Sequence, residues 1–166
     1  MPEAFDSQEP VLTIGLAAER TGVSVPTIRL YEMEGLLIPF RTPSGRRLYS
    51  YEDLRRIQCI RHLIHDEGLN LAGVRRLVAL LPCWRLKPHN DETDGPMAEC
   101  TAIQQEKEPC WIIRRREGKR TDEECRRCEV YRNALSCTQE MKTLYRELAT
   151  CKPQDLQPGQ QSGTSE

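Results

Sequence analysis

Between Leu12 and Leu37 the chain encodes two short helices around one glycine, and few folds accept that arrangement. In "LTIGLAAERTGVSVPTIRLYEMEGLL" helical spacing runs from Ile14 to Arg20 and again from Pro26 to Glu34, with Gly22 in the turn. Ser24 offers an N-cap oxygen, and Pro26 suits a first helical turn, where its missing N–H costs little. Two short helices joined in this way are the layout of a helix-turn-helix.

The next stretch, "IPFRTPSGRRLYSYEDL", places Pro43, Ser44 and Gly45 between two short extended pieces and so predicts a small hairpin, or wing. Ser50 with Asp53 forms a capping box, and Leu54, Ile57, Ile60 and Ile64 recur at helical spacing until Gly68. Asn70 caps a further helix, whose apolar face is Leu71, Val74, Leu77, Val78 and Leu81, and Pro82 ends it. From residue 11 to 80 there are ten arginines, no lysine and seven acids, a local net of +3 in a chain whose overall charge is −1. Six of those arginines lie between Arg41 and Arg61, a cationic strip that suits a modest DNA footprint or, failing that, an ordinary solvated face.

Residues 82–121 lose this periodicity, and so long a span without pattern is either disordered or held by something other than an apolar core. Thr121 with Glu124 makes a capping box that predicts a helix to about Cys151. Along it Val130, Ala134, Cys137, Met141, Leu144, Leu148 and Cys151 alternate spacings of four and three, a heptad seam that pairs with the same helix of a second chain. The expected organisation is a flexible start over 1–10, a DNA-binding domain over 11–81, a cysteine-rich connector over 82–121, a dimerisation helix over 122–151 and a disordered tail over 152–166. The N-terminus lacks a secretion signal and no apolar run approaches the roughly 20 residues that cross a bilayer, so a cytoplasmic protein is expected, with no membrane partner.

In that compartment the eight cysteines are poor candidates for a disulfide framework and better ones for metal binding. "PCW" occurs twice, at Pro82–Trp84 and Pro109–Trp111, followed by "CRRC" at Cys125–Cys128. Cys125 and Cys128 sit near the start of the expected helix, where its dipole favours the metal-binding thiolate. Cys110 is the best third ligand. Cys83, favoured by the repeated pattern, and Cys100, favoured by proximity, compete for the fourth place, and His89 is a further option. Cys59, on the apolar face of its helix, is assigned to the core, and Cys137 and Cys151 to the seam. All-thiolate ligation suits an iron–sulfur cluster, which is favoured, or zinc; a vacant site that captures a soft metal ion is a third option. No catalytic arrangement stands out, and a thiol redox enzyme using Cys125 and Cys128 is disfavoured because no βαβ pattern surrounds them.

Residues 12–81 resemble the DNA-binding domain of the MerR family of bacterial transcription regulators. The pieces that carry the likeness are "IGLAAERTGVSVPTIRLYEMEGLL", "PFRTPSGRRLY", "YEDLRRIQCIRHL" and "EGLNLAGVRRLVALL"; "EGLNLAGV" looks most like the heat-shock-repressor branch. The resemblance implies a mainly α fold, with a winged helix-turn-helix and an antiparallel coiled-coil dimerisation helix. It also implies a homodimer on a near-palindromic operator in double-stranded promoter DNA, with RNA polymerase as a further partner. By position it implies that Thr27, Arg29 and Tyr31 face the groove or adjacent phosphates and that Arg41, Arg46, Arg47 and Tyr49 grip the backbone from the wing. Guanidinium groups offer paired donors to phosphate or guanine, and a tyrosine hydroxyl donates to phosphate. The alternative for Tyr31 and Tyr49 is packing. The pattern "C-W … C-x-V-Y" looks like cysteine motifs thought to carry iron–sulfur clusters in some bacterial sensory proteins, although Arg116 stands where that motif would place its second cysteine. The resulting expectation is a regulator that responds to a redox or metal signal, with a purely structural zinc site as the alternative.

Overall fold

Side-chain caps set the first four helix starts of the protein, and each is visible in the computed structural model, which describes residues 6–87, 96, 99–135, 142–143 and 146. Thr13 caps α1 (Ile14–Thr21) through Leu16 N–H, and Ser24 caps α2 (Val25–Met33) through Thr27 N–H. Gly22 takes φ +67° between them, the left-handed turn that glycine enters without steric cost. Ser50 and Asp53 form both halves of a capping box on α3 (Tyr51–His65), and Asn70 caps α4 (Leu71–Ala79). The wing is the antiparallel pair β1 (Phe40–Arg41) and β2 (Arg47–Leu48), with Phe40 opposite Leu48 and Arg41 opposite Arg47. An isolated bridge from Leu12 to Tyr49 ties it back to the start of the domain.

The connector is not structureless. It contains α5 (Cys83–Leu86), α6 (Thr101–Gln104) and α7 (Cys110–Arg116), and it lies against the helix-turn-helix domain. Trp111 supplies the physical reason: its ring is 2% exposed and belongs to the same apolar cluster as Ile28, Leu36, Ile57 and Val74. Burying so large a side chain contributes on the order of 2–3 kcal/mol, which orders a segment that lacks a periodic apolar face.

The expected continuous helix from residue 122 is also corrected. Thr121 and Glu124 cap α8 (Asp122–Arg127) as predicted, but Cys128 adopts an extended backbone, φ −73° and ψ 131°, and a separate α9 (Glu129–Asn133) follows. The break turns Val130 and Ala134, the first two positions of the expected seam, into this chain's own core at 3% and 0% exposure. Cys137, Met141, Leu144, Leu148 and Cys151 lie outside the described residues, as does His89. Among the described residues, no helix is long and apolar enough to cross a membrane.

Candidate functional site

The first candidate surface is formed by α2 and the wing. Thr27 is half-buried and shares a 2.7 Å hydroxyl contact with Ser24, which places it in the first turn of the second helix. Arg41 and Arg46 are exposed on the wing, while Arg29 and Arg47 are half-buried. Glu32 ties the two elements together. Its carboxylate lies 3.0 Å from Arg47 Nε and 3.8 Å from Arg29 Nη1, and it accepts the Tyr49 hydroxyl proton. The Arg47 contact is an ion pair without hydrogen-bond geometry, because Nε makes no directed bond. Glu32 therefore ties the second helix to the wing, while the Arg29 and Arg47 side chains stay 40% and 31% exposed.

Tyr31 and Tyr49 stand elsewhere than the resemblance implied. They are 2% and 0% exposed, and burial raises the pKa of both hydroxyls; at Tyr49 the neighbouring Glu32 carboxylate adds to the rise. Both rings are core members, so the packing alternative describes them, and the outward-facing groups are arginines.

The second candidate is a cavity of about 50 Å³, several times the roughly 10–15 Å³ that one water needs. Cys83, Cys110, Cys125 and Cys128 all line it, 45 positions apart at the extremes of the chain segment that supplies them. Each "PCW" copy begins a helix with its proline at the N-cap: Pro82 precedes Cys83, the first residue of α5, and Pro109 precedes Cys110, the first of α7. Cys125 lies in α8, and Cys128 occupies the break after it, with its N–H donated to Cys125 O at 3.1 Å. Trp84 and Trp111 wall the cavity, and Lys87, Arg114 and Arg120 contribute positive charge.

Cys100, the rival for the fourth position, is not among the lining residues. It is buried with Ala102 and Ile113 in a separate small cluster, and Arg114 Nη2 donates to its sulfur at 3.3 Å. Cys59 is 2% exposed within the main core, as its helical position suggested.

The thiols are electrostatically unequal. A hydrogen bond from the Cys110 thiol lowers Cys83 to about 7, and that same bond, together with burial, raises Cys110 well above the usual thiol range. Burial pushes Cys125 up to about 11, so the expected depression by a helix dipole is overridden. Desolvation of the charged form wins there because α8 has only six residues and Cys125 is its fourth. In donor type and number the four sulfurs fit a soft or borderline metal centre. Among the described residues, no three His, Cys, Asp or Glu side chains stand in coordination geometry, so the thiols share a cavity without being drawn onto a common point.

Sequence reasoning missed the residues that dock this cavity on the helix-turn-helix domain. Trp111 Nε1 donates to Gly35 O at 2.8 Å. Tyr131 Oη accepts the Ile38 N–H at 2.9 Å and meets Trp111 edge-on, ring centroids 5.3 Å apart. Arg126 donates to Ile38 O and pairs with Asp53. Arg56 is 5% exposed, lies 3.6 Å from the Tyr131 ring centroid, and donates to Leu36 O and Tyr131 O. An arginine between Leu54 and Ile57 on an apolar helix face was the available signal.

The family described as MerR HTH family regulatory protein matches residues 12–81. The chain carries a MerR-family helix-turn-helix domain. Over 79 residues the sequence is 37% identical to HspR of Streptomyces coelicolor, a heat shock protein by name, spanning 48% of this chain and 52% of that one. It is 37% identical over 71 residues to the HTH-type transcriptional regulator GlnR of Bacillus anthracis, covering 43% and 54%. It is 32% identical over 84 residues to the HTH-type transcriptional activator SoxR homolog of Chromobacterium violaceum, covering 51% and 56%. The chain thus spans about half the length of these curated relatives, two of which, GlnR and the SoxR homolog, are named as transcriptional regulators. In the MerR-family domain of this chain, Glu32 is the residue that locks the second helix to the wing.

Proposed function

We propose that the protein is a transcription regulator that binds double-stranded promoter DNA as a cytoplasmic homodimer and responds through a cysteine-ligated centre. The MerR-family domain supports the DNA-binding half of this reading, together with the relatives named as transcriptional regulators. Thr27, Arg29, Arg41, Arg46 and Arg47 carry the contacts. Phosphate contacts from the wing set register and salt dependence, and the second helix reads base edges. A two-fold dimer meets a near-palindromic operator, where RNA polymerase is the further partner.

The observation that carries the sensing half is the convergence of Cys83, Cys110, Cys125 and Cys128 on one cavity. Deprotonated, these four sulfurs would hold an iron–sulfur cluster, the favoured occupant, or a zinc ion, and Lys87, Arg114 and Arg120 offset the resulting negative charge. An iron–sulfur cluster supplies one-electron redox chemistry; zinc supplies a redox-inert cross-link.

Anaerobic purification, followed by elemental analysis and a visible absorbance spectrum, tests the centre. Stoichiometric iron with visible bands assigns the cluster, colourless protein with stoichiometric zinc assigns the structural alternative, and no heavy element removes the centre altogether. Selection of duplexes from a random library, by loaded and by chelator-stripped protein, tests the regulatory half. Enrichment of a near-palindromic sequence with different affinities in the two states is the expected result.

A further inference from the structure

The segments that carry the cavity cysteines also hold the short strap from Gly35 to Pro39, which leaves the recognition helix and enters the wing. Trp111, next to Cys110, donates its indole N–H to Gly35 O at 2.8 Å. Arg126, next to Cys125, donates to Ile38 O, and Tyr131, three residues beyond Cys128, accepts the Ile38 N–H at 2.9 Å. The fit leaves no slack: a Cβ on Gly35 would lie 2.6 Å from Ile112 Cδ1. Gly35, Leu36, Leu37, Ile38 and Pro39 are all buried.

We infer that this strap is the output of the thiol cavity within the same chain. The inference rests on reading the cavity as a metal or cluster site. Consecutive Cα atoms are 3.8 Å apart, so drawing Cys110 or Cys125 toward a common ligand point displaces Trp111 or Arg126 with it. Packed contacts of this kind have discrete arrangements rather than continuous give, so their displacement resets the angle between the second helix and the wing. The centre then changes DNA affinity through differential stability of two strap positions, without a signal having to cross a dimer seam.

Hydrogen–deuterium exchange of the full chain, anaerobic as purified and after chelator stripping, tests the coupling, with metal content measured in parallel. Peptides covering residues 36–41 should exchange roughly five- to tenfold faster after stripping, as loss of a buried hydrogen bond to Ile38 implies, while α1, which none of the three bonds to the strap reaches, stays unchanged. Y131F, which keeps the ring and loses the hydroxyl, should show the fast exchange with its metal content intact. Stripping that alters residues 110–128 but leaves 36–41 protected overturns the coupling and leaves the centre standing. Absence of any metal or cluster in the purified protein overturns the cavity reading, and the coupling falls with it.

Discussion

Arg126 closes a 3.0 Å ion pair on Asp53, a residue 73 positions earlier, with the two side chains 13% and 5% exposed. Asp53 is also the capping-box carboxylate of α3, so one group both starts a helix of the DNA-binding domain and anchors the cysteine segment. Removing one partner of a buried pair strands the other. Arg126→Met, which keeps the aliphatic stem, should therefore destabilise the protein by about 3 kcal/mol in denaturant unfolding. A loss under about 0.5 kcal/mol, the usual range of a surface change, would show that the two segments are not docked this way in solution.

Two glycines with nearly the same backbone separate strain from packing. Gly45 at φ +80° faces open space, whereas Gly35 at φ +70° faces Ile112. Gly45→Ala should cost only the left-handed conformation, about 1–2 kcal/mol. Gly35→Ala should cost at least about 1 kcal/mol more, and adding Ile112→Ala should recover that excess alone. Equal costs at the two positions, read from thermal unfolding, would remove the close approach between connector and strap.

Serine substitution distinguishes the five candidate ligands. Cys83→Ser, Cys110→Ser, Cys125→Ser and Cys128→Ser should each lose most of the bound metal, because each sulfur lines the cavity. Cys100→Ser should keep it, since that sulfur is packed against Ala102 and Ile113. Elemental analysis of the five variants decides, and a Cys100 variant depleted of metal would reassign the ligand set.

On the wing, Arg46 and Arg47 should act on DNA alike and on stability differently. Arg46→Ala and Arg47→Ala should each weaken binding to all duplex sequences and reduce the slope of log K against log salt by about one. Only Arg47→Ala should also lower the melting temperature, because Arg47 neutralises Glu32, whose side chain is 9% exposed. Salt titrations that show no change in slope for either variant would take the wing off the DNA.

What the sequence by itself determined is local. The caps at Ser24, Ser50, Asn70 and Thr121 each satisfy a backbone N–H three residues away, so their residue types state the helix starts wherever the rest of the chain lies. The hairpin around Gly45 and the core role of Cys59 were legible for the same reason: turn chemistry and helical period act over a few residues. Tertiary structure alone decided that Cys83 rather than Cys100 joins Cys110, Cys125 and Cys128, and that Trp111 is core. It alone turned Tyr31 and Tyr49 inward and broke the helix at Cys128, sending Val130 and Ala134 into this chain's own interior. Those outcomes depend on burial and on bonds such as Trp111 to Gly35, spanning 76 positions, and no local pattern encodes which distant surface will be there to receive an indole or a guanidinium.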